Sequence, residues 1–283
     1  MDKYNRKYKL EVQTYLGTTI TIELPFTIEF DITRNNLSSA NVASIRIYNL
    51  SEKNRNLLRK DSWDYNDIRE IVLKAGYEGN MPVVFKGNMT SSWSVREGTN
   101  FITQIESFGG GAAYNNAITD TTYPAGTTNK EVMGNMISSM PGVALGAIGE
   151  YDGSLARGAA YSGATCDVLT QLSGGGFFID NGIAHCLQDG EYIEGPINII
   201  NSQSGLLGTP VREQTFLNFD MLFEPQLLVG QRIKLESVTG ANFNGYYKVN
   251  SVKHKGMISE AVSGSVITSV GLIAPINMRE VRF

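Results

Sequence analysis

Charge is scarce in this chain. Only 18% of its 283 residues are Asp, Glu, Lys or Arg, against roughly a quarter in ordinary soluble domains. Much of the surface must therefore be Ser, Thr, Asn, Gln and Gly, which suits permanent contact with other proteins. No Lys/Arg-rich block occurs and the net charge is -4. That balance excludes a nucleic-acid grip, which needs a basic stripe to displace counterions. Cysteine is equally scarce: Cys166 and Cys186 are the only two, too few for a disulfide framework and consistent with folding in a reducing cytoplasm. Long apolar runs are absent too. The most apolar tail, Met257 to Ile276, is broken by Glu260, serines and glycines, so no membrane insertion is expected. Met1 to Lys9 is charged and aromatic, without the apolar core of a secretory signal.

What is present is alternation. Residues 1–108 read as β structure and predict an N-terminal β-barrel. Leu10 and Val12, then Ile20, Ile22 and Leu24, flank a Gly17-Thr18 turn; Phe26, Ile28, Phe30 and Ile32 alternate with Thr27, Glu29 and Asp31. Ile45 and Ile47, Ile71 to Tyr77, and Phe101 to Ser107 continue the period of two. A short helix interrupts after Ser51, a good N-cap. Residues 109–195 predict a small α+β domain, opening at Gly109-Gly110-Gly111. Thr128 with Glu131 forms a capping box; Val132, Met133, Met136, Ile137 and Met140 share one helix face; and Asn181-Gly182 marks a tight hairpin. The Gly- and Ala-rich stretch 143–163 reads as an irregular loop. Residues 196–283 return to β, with Arg232 to Leu235, Tyr246 to Val252 and Ser265 to Val270 as strands, and predict a C-terminal barrel. The fold class is thus mainly β, two barrels flanking an α+β insert.

A short pattern occurs in both β regions. Phe85-Lys86-Gly87 precedes a strand and a turn at Arg96-Glu97-Gly98; Phe243-Asn244-Gly245 precedes a strand and a turn expected at Lys255-Gly256. The step between the glycines is eleven residues each time. The surrounding strands follow in the same order, which points to one architecture used twice.

Chemistry is hard to find. A histidine-based triad would need His185 or His254 beside a nucleophile. His254, between two lysines at the expected turn, reads as a solvated side chain. His185 and Cys186 are strand neighbours that face opposite ways, so they do not share a metal ion. Neither Gly-Gly-Gly run is followed by the Lys-Ser/Thr of a phosphate loop. We therefore assign no catalytic, cofactor-binding or metal residues and expect no enzyme. Trp63 and Trp93 are the residues a glycan-binding surface would use. Arg279, Val281 and Phe283 alternate with charged residues beyond the last barrel strand, so Pro275, Arg279, Val281 and Phe283 are expected to contact a neighbouring protein.

The run from Pro25 to Ile32, the polar loop Asn35 to Asn41, and Ile45-Arg46-Ile47-Tyr48-Asn49-Leu50-Ser51 resemble the opening barrel of phage tail baseplate hub proteins. The resemblance continues through Gly76-Tyr77, Phe85-x-Gly87, the Asn181-Gly182 hairpin and Phe243-x-Gly245-Tyr246-Tyr247-x-Val249. It implies a homotrimer of tail-tube-like barrels in a contractile tail, joining a sixfold tail tube protein to a threefold central spike protein. The tape measure protein and the baseplate wedge are further implied neighbours. DNA would be a partner only in transit through the lumen. The location implied is the virion tail, assembled in the host bacterial cytoplasm. The alternatives are a receptor- or glycan-binding tail β-protein, or a tail-associated cell-wall hydrolase.

Overall fold

The computed structural model describes residues 5–37, 40–64, 66–262, 264–274 and 279–281. The N-terminal segment forms β1 (Arg6–Gln13), β2 (Thr19–Glu23), β3 (Ile28–Asn35), β4 (Val42–Tyr48), α1 (Glu52–Leu58), β5 (Arg69–Tyr77), β6 (Val83–Glu97) and β7 (Asn100–Phe108). Strict alternation drives it: Ile28, Phe30 and Ile32 point to the core while Glu29 and Asp31 face outward. The Ser51 hydroxyl accepts from the Asn54 N–H and so starts α1. Gly87 lies where β6 and β7 approach closely; a Cβ there would clash with the Phe108 carbonyl oxygen.

The middle segment contains α2 (Gly111–Asn116), β8 (Ile118–Tyr123), α3 (Asn129–Ser138), β9 (Ala144–Ile148), β10 (Ala159–Ala164), α4 (Thr165–Leu172), β11 (Phe177–Asp180), β12 (Ile183–Cys186) and β13 (Glu191–Tyr192). Thr128 accepts from the Glu131 N–H at the start of α3. Asn181 and Gly182 both take positive φ, 50° and 78°, as a type I′ turn requires. The stretch 143–163 differs from the expected irregular loop, because β9 and β10 lie in it. Its small residues permit close pairing: β9 runs parallel to β12, and Gly146 fits beneath the His185 ring, where a Cβ would come within 2.6 Å.

The last segment forms β14 (Ile199–Ile200), β15 (Leu206–Glu213), β16 (Phe216–Leu222), β17 (Arg232–Leu235), a 3₁₀ turn at Ala241–Phe243, β18 (Gly245–Ile258), β19 (Val266–Ile273) and β20 (Arg279–Glu280). One 13-stranded sheet runs through both β segments. Its path is β15-β16-β19-β18-β3-β4-β7-β6-β5-β1-β2, with β17 also beside β18 and β14 beside β17. The same order therefore occurs twice: β5-β6-β7-β4-β3 in the first segment and β17-β18-β19-β16-β15 in the last.

The Phe-x-Gly triplets do not mark equivalent places in this repeat. Each long strand carries a bulge against its hairpin partner, at Met89/Ser91 in β6 and at Val249/Ser251 in β18. Matching the bulges puts Phe85 on Gly245, so the triplets are two residues out of step. Gly98 lies in the β6–β7 turn at φ 61°. Gly256, by contrast, lies inside β18, paired with Phe30 and Val266, and the expected turn at Lys255-Gly256 is absent.

The core has three clusters. The first, around Phe30, Ile45, Leu73 and Phe85, also takes in Phe223, Ile258 and Val266 from the last segment. A second surrounds Phe219, Ile233, Val249 and Leu272, and a third packs α3 and α4 against β11 and β12.

Candidate assembly interface

The three segments meet at one buried polar cluster. Arg34 continues the inward series Ile28, Phe30, Ile32 along β3, so the pleat drives its guanidinium into the core, where it is 1% exposed. Its Nη1 donates to Asp180 Oδ2 at 3.0 Å, and its Nη2 donates to the Leu227 carbonyl at 2.8 Å. Asn41 Nδ2 donates to the other Asp180 oxygen at 3.1 Å and to the Ile179 carbonyl. The Arg34 Nε–H has no hydrogen-bond partner among the described residues. Next door, the Asn181 side chain donates to the Val83 carbonyl and accepts from the Lys86 N–H. The hairpin turn of the middle segment thus serves as the plug that seats it on the first sheet.

His254 belongs to this cluster rather than to a solvated face. Its position in β18 pairs it with Ile32 and Thr268, and it is fully buried. Arg34 Nη2 lies 3.3 Å from His254 Nε2. Because a guanidinium can only donate, Nε2 must accept, and the ring proton resides on Nδ1, 3.0 Å from Thr268 Oγ1. Burial and the nearby Arg34 charge both hold His254 well below the ordinary histidine pKa. His185 is also buried, stacked on Phe178, with Nδ1 accepting from the Ala147 N–H; burial lowers its pKa to about 4. Burial pushes both free thiols, Cys166 and Cys186, up to about 12, so neither is an activated nucleophile. Among the described residues no group of three or more His, Cys, Asp or Glu could hold a metal ion, and no helix is long and apolar enough to cross a membrane.

The surface offers different features. The outer part of the β6–β7 hairpin is exposed on both faces: Trp93 to Glu97 and Asn100 to Phe101 lose the alternating burial of the inner part. Arg55 and Arg96 lie over the Phe101 ring, at 3.8 and 5.8 Å. A two-stranded ribbon is marginal by itself, and exposed aromatic and aliphatic residues on it mark a contact surface. Trp63, 72% exposed, and Trp93 open onto shallow grooves that share Asn56, Arg59 and Asp61.

At the chain's end, Arg279 and Glu280 pair in parallel with Glu191 and Tyr192 of the same chain. Val281 is buried in the second cluster, and its N–H donates to the Tyr192 carbonyl at 2.7 Å. The strand expected beyond the last barrel strand therefore forms within the chain. Pro275 and Phe283 lie outside the described residues.

Sequence reasoning missed the cluster around Arg34 and Asp180. The available signal was parity: Arg34 has the phase of Phe30 and Ile32, so it had to be buried wherever β3 continued.

Comparison with known proteins bears on the use of these surfaces. A family model described as Baseplate hub gp41 matches residues 9–257. No curated protein matches the chain. Among solved structures, the 43 kDa tail protein of prophage MuSo2 from Shewanella oneidensis is similar, with TM-score 0.63, 8% identity, and coverage of 96% of this chain and 97% of that one. A tail protein from Neisseria meningitidis MC58 gives TM-score 0.59 and 11% identity over 95% and 96%. The E. coli c3393 protein gives TM-score 0.55 and 10% identity over 88% and 73%; it is a type VI secretion component described as similar to the T4 tail proteins gp27 and gp5. At these identities the likeness is one of fold.

Proposed function

The chain belongs to the baseplate hub gp41 family, and from that premise we propose that it is a homotrimeric, non-catalytic adaptor between a sixfold tail tube and a threefold central spike. The observation that carries this reading is the strand order found twice in one chain. A cyclic assembly repeats identical contacts, so a threefold object cannot mate evenly with a sixfold one. A trimer whose every chain holds two like units presents six. The low charge of the sequence suits surfaces buried for the life of the particle. Tape measure and wedge proteins are the further neighbours proposed, with DNA passing through the lumen and assembly taking place in the host cytoplasm.

We place the domain limits of this reading at 1–108, 109–195 and 196–283. The end of the chain is proposed to touch a neighbouring protein through Pro275, Arg279 and Phe283, with Val281, expected among these contacts from the sequence, instead buried in this chain and holding the segment in position. Native mass spectrometry of the full chain should give three copies. A species that stays monomeric or dimeric, alone and with its spike partner, would sink the trimer.

A second reading rests on Trp63 and Trp93, whose exposure over adjoining grooves would suit sugar rings. Glycan-array binding that disappears with Trp63→Ala or Trp93→Ala would favour it; an empty array removes it.

A further inference from the structure

The two β units differ at one edge. In the last segment, β18 is flanked along nearly its whole length: β17 pairs with Gly245 to Lys248, and past the bulge β3 pairs with Ser251 to Ile258. In the first segment, β5 pairs with β6 as far as Met89. Lys60 then bridges Ser92 through two backbone bonds of 2.9 Å. Beyond that, among the described residues, no strand flanks the outer edge of Trp93 to Glu97. Among the described residues the sheet is also open at β15, which pairs with β16 alone. β15 is the counterpart of β3, but β3 alternates between buried and half-buried residues whereas β15 is mostly exposed.

We propose that Trp93 to Glu97 of one copy pairs antiparallel with β15 of a second copy of this chain, repeating between chains the joint that β18 and β3 make within one. This rests on the assembly reading above and names its seam.

The paired registers fix which residues would meet. With the bulges matched, Val95 takes the place of Lys255. Asp31 faces Ser44, which faces Glu106, which faces Ser91 at the bulge. Val211 faces Asn218, which faces Gly271, which faces Ser251 at the other bulge. Asp31 and Val211 therefore hold equivalent places.

Within the chain, Lys255 lies opposite Asp31 and forms an ion pair with it at 3.5 Å. Between chains the same place sets Val95 against Val211, which are 41% and 55% exposed. Each free edge thus presents a valine to water at the position where the other presents one. The ladder would run continuously from Trp93–Glu213 through Ser94–Arg212 to Val95–Val211, before the irregularity that follows Leu207. Open edges of this kind are aggregation hazards unless paired or covered. The contact is heterologous, joining two different edges; such contacts close into a ring when the rotation between copies closes, as the trimer reading requires.

The backbone bonds of Ser92 point outward to Lys60, so those of Val95 point inward to β7. Val95 and Val211 would then form a non-hydrogen-bonded pair with Cα atoms roughly 4.5 Å apart, within disulfide range. The test is the full chain carrying Val95→Cys and Val211→Cys, mildly oxidised, with non-reducing electrophoresis beside native mass. A covalent ladder ending at the native multimer supports the seam, provided that Val95→Cys with Ile118→Cys in β8 gives none. A multimer that does not cross-link overturns the seam and leaves the assembly reading standing. A chain that is monomeric throughout overturns both. Val211→Asp serves as a second probe: it should disperse the multimer without changing the melting of the monomer, and an undisturbed multimer counts against the seam.

Discussion

Asp180 and Arg34, 146 residues apart in sequence, form a 3.0 Å ion pair with both side chains buried. One lies at the end of a hairpin in the middle segment and the other in the first sheet. Their attraction joins units that the chain could otherwise have left loosely tethered. Removing one partner of a buried pair leaves an uncompensated charge, at a cost of about 3–5 kcal/mol. Asp180→Ala should lose about that much in urea unfolding. The double variant Arg34→Met with Asp180→Leu should lose much less than the sum of the single changes. Additive losses would show that the two residues act independently.

Acid should weaken the fold through its two histidines. Both have folded pKa values below the ordinary 6.5, so folding favours the neutral ring. Their contribution is complete above pH 6.5 and declines as pH falls toward the folded values, about 4 for His185. That shift amounts to about 3 kcal/mol for His185 once it is fully lost. Urea midpoints measured from pH 7 to 4.5 should fall more steeply for the natural chain than for His185→Gln or His254→Gln. Parallel slopes would assign the acid sensitivity to carboxylates.

Glycines at close backbone approaches are predicted to resist substitution. Gly87→Ala should cost about 1–3 kcal/mol by overpacking, since its Cβ would meet the Phe108 carbonyl. Gly17→Ala, at a turn with nothing within 4 Å, should incur only the backbone strain of its positive φ, about 1 kcal/mol. Thermal melts of the two variants compare these costs directly.

The end of the chain must be tested with point changes. Deleting 275–283 removes Val281 from the second cluster, so the truncated chain should lose about 1–3 kcal/mol of stability before any contact is considered. Phe283→Ala and Arg279→Ala should keep the melting temperature and weaken association with a neighbouring protein. Unchanged association in both would remove the proposed contact.

Much of the fold was legible in local pattern. Ile28, Phe30 and Ile32 announced a half-buried strand, Thr128 and Glu131 a helix start, and Asn181-Gly182 a type I′ turn, because each signal is short-range. The loop expected at 143–163 was misread because Gly and Ala carry no strong alternation; β9 forms there through pairing with β12, a contact no local window contains. His254 was misplaced for a related reason. Its two lysine neighbours suggested solvent, yet in a strand of period two flanking residues say nothing about the opposite face. Arg34 could be placed by parity, but β11 is buried on both faces and carries no alternation that would place Asp180, so only the folded chain shows that the two meet.

Along one edge β18 pairs Gly245 to Lys248 with β17 of its own unit and Ser251 to Ile258 with β3 of the other. Within a chain the two units therefore have no seam of their own: parting them means stripping the eight ladder positions from Ser251 to Ile258. The proposed joint between chains is shorter. A ring built on that proposed joint would yield under load at its chain boundaries first, shedding whole subunits with both of their units still clasped together.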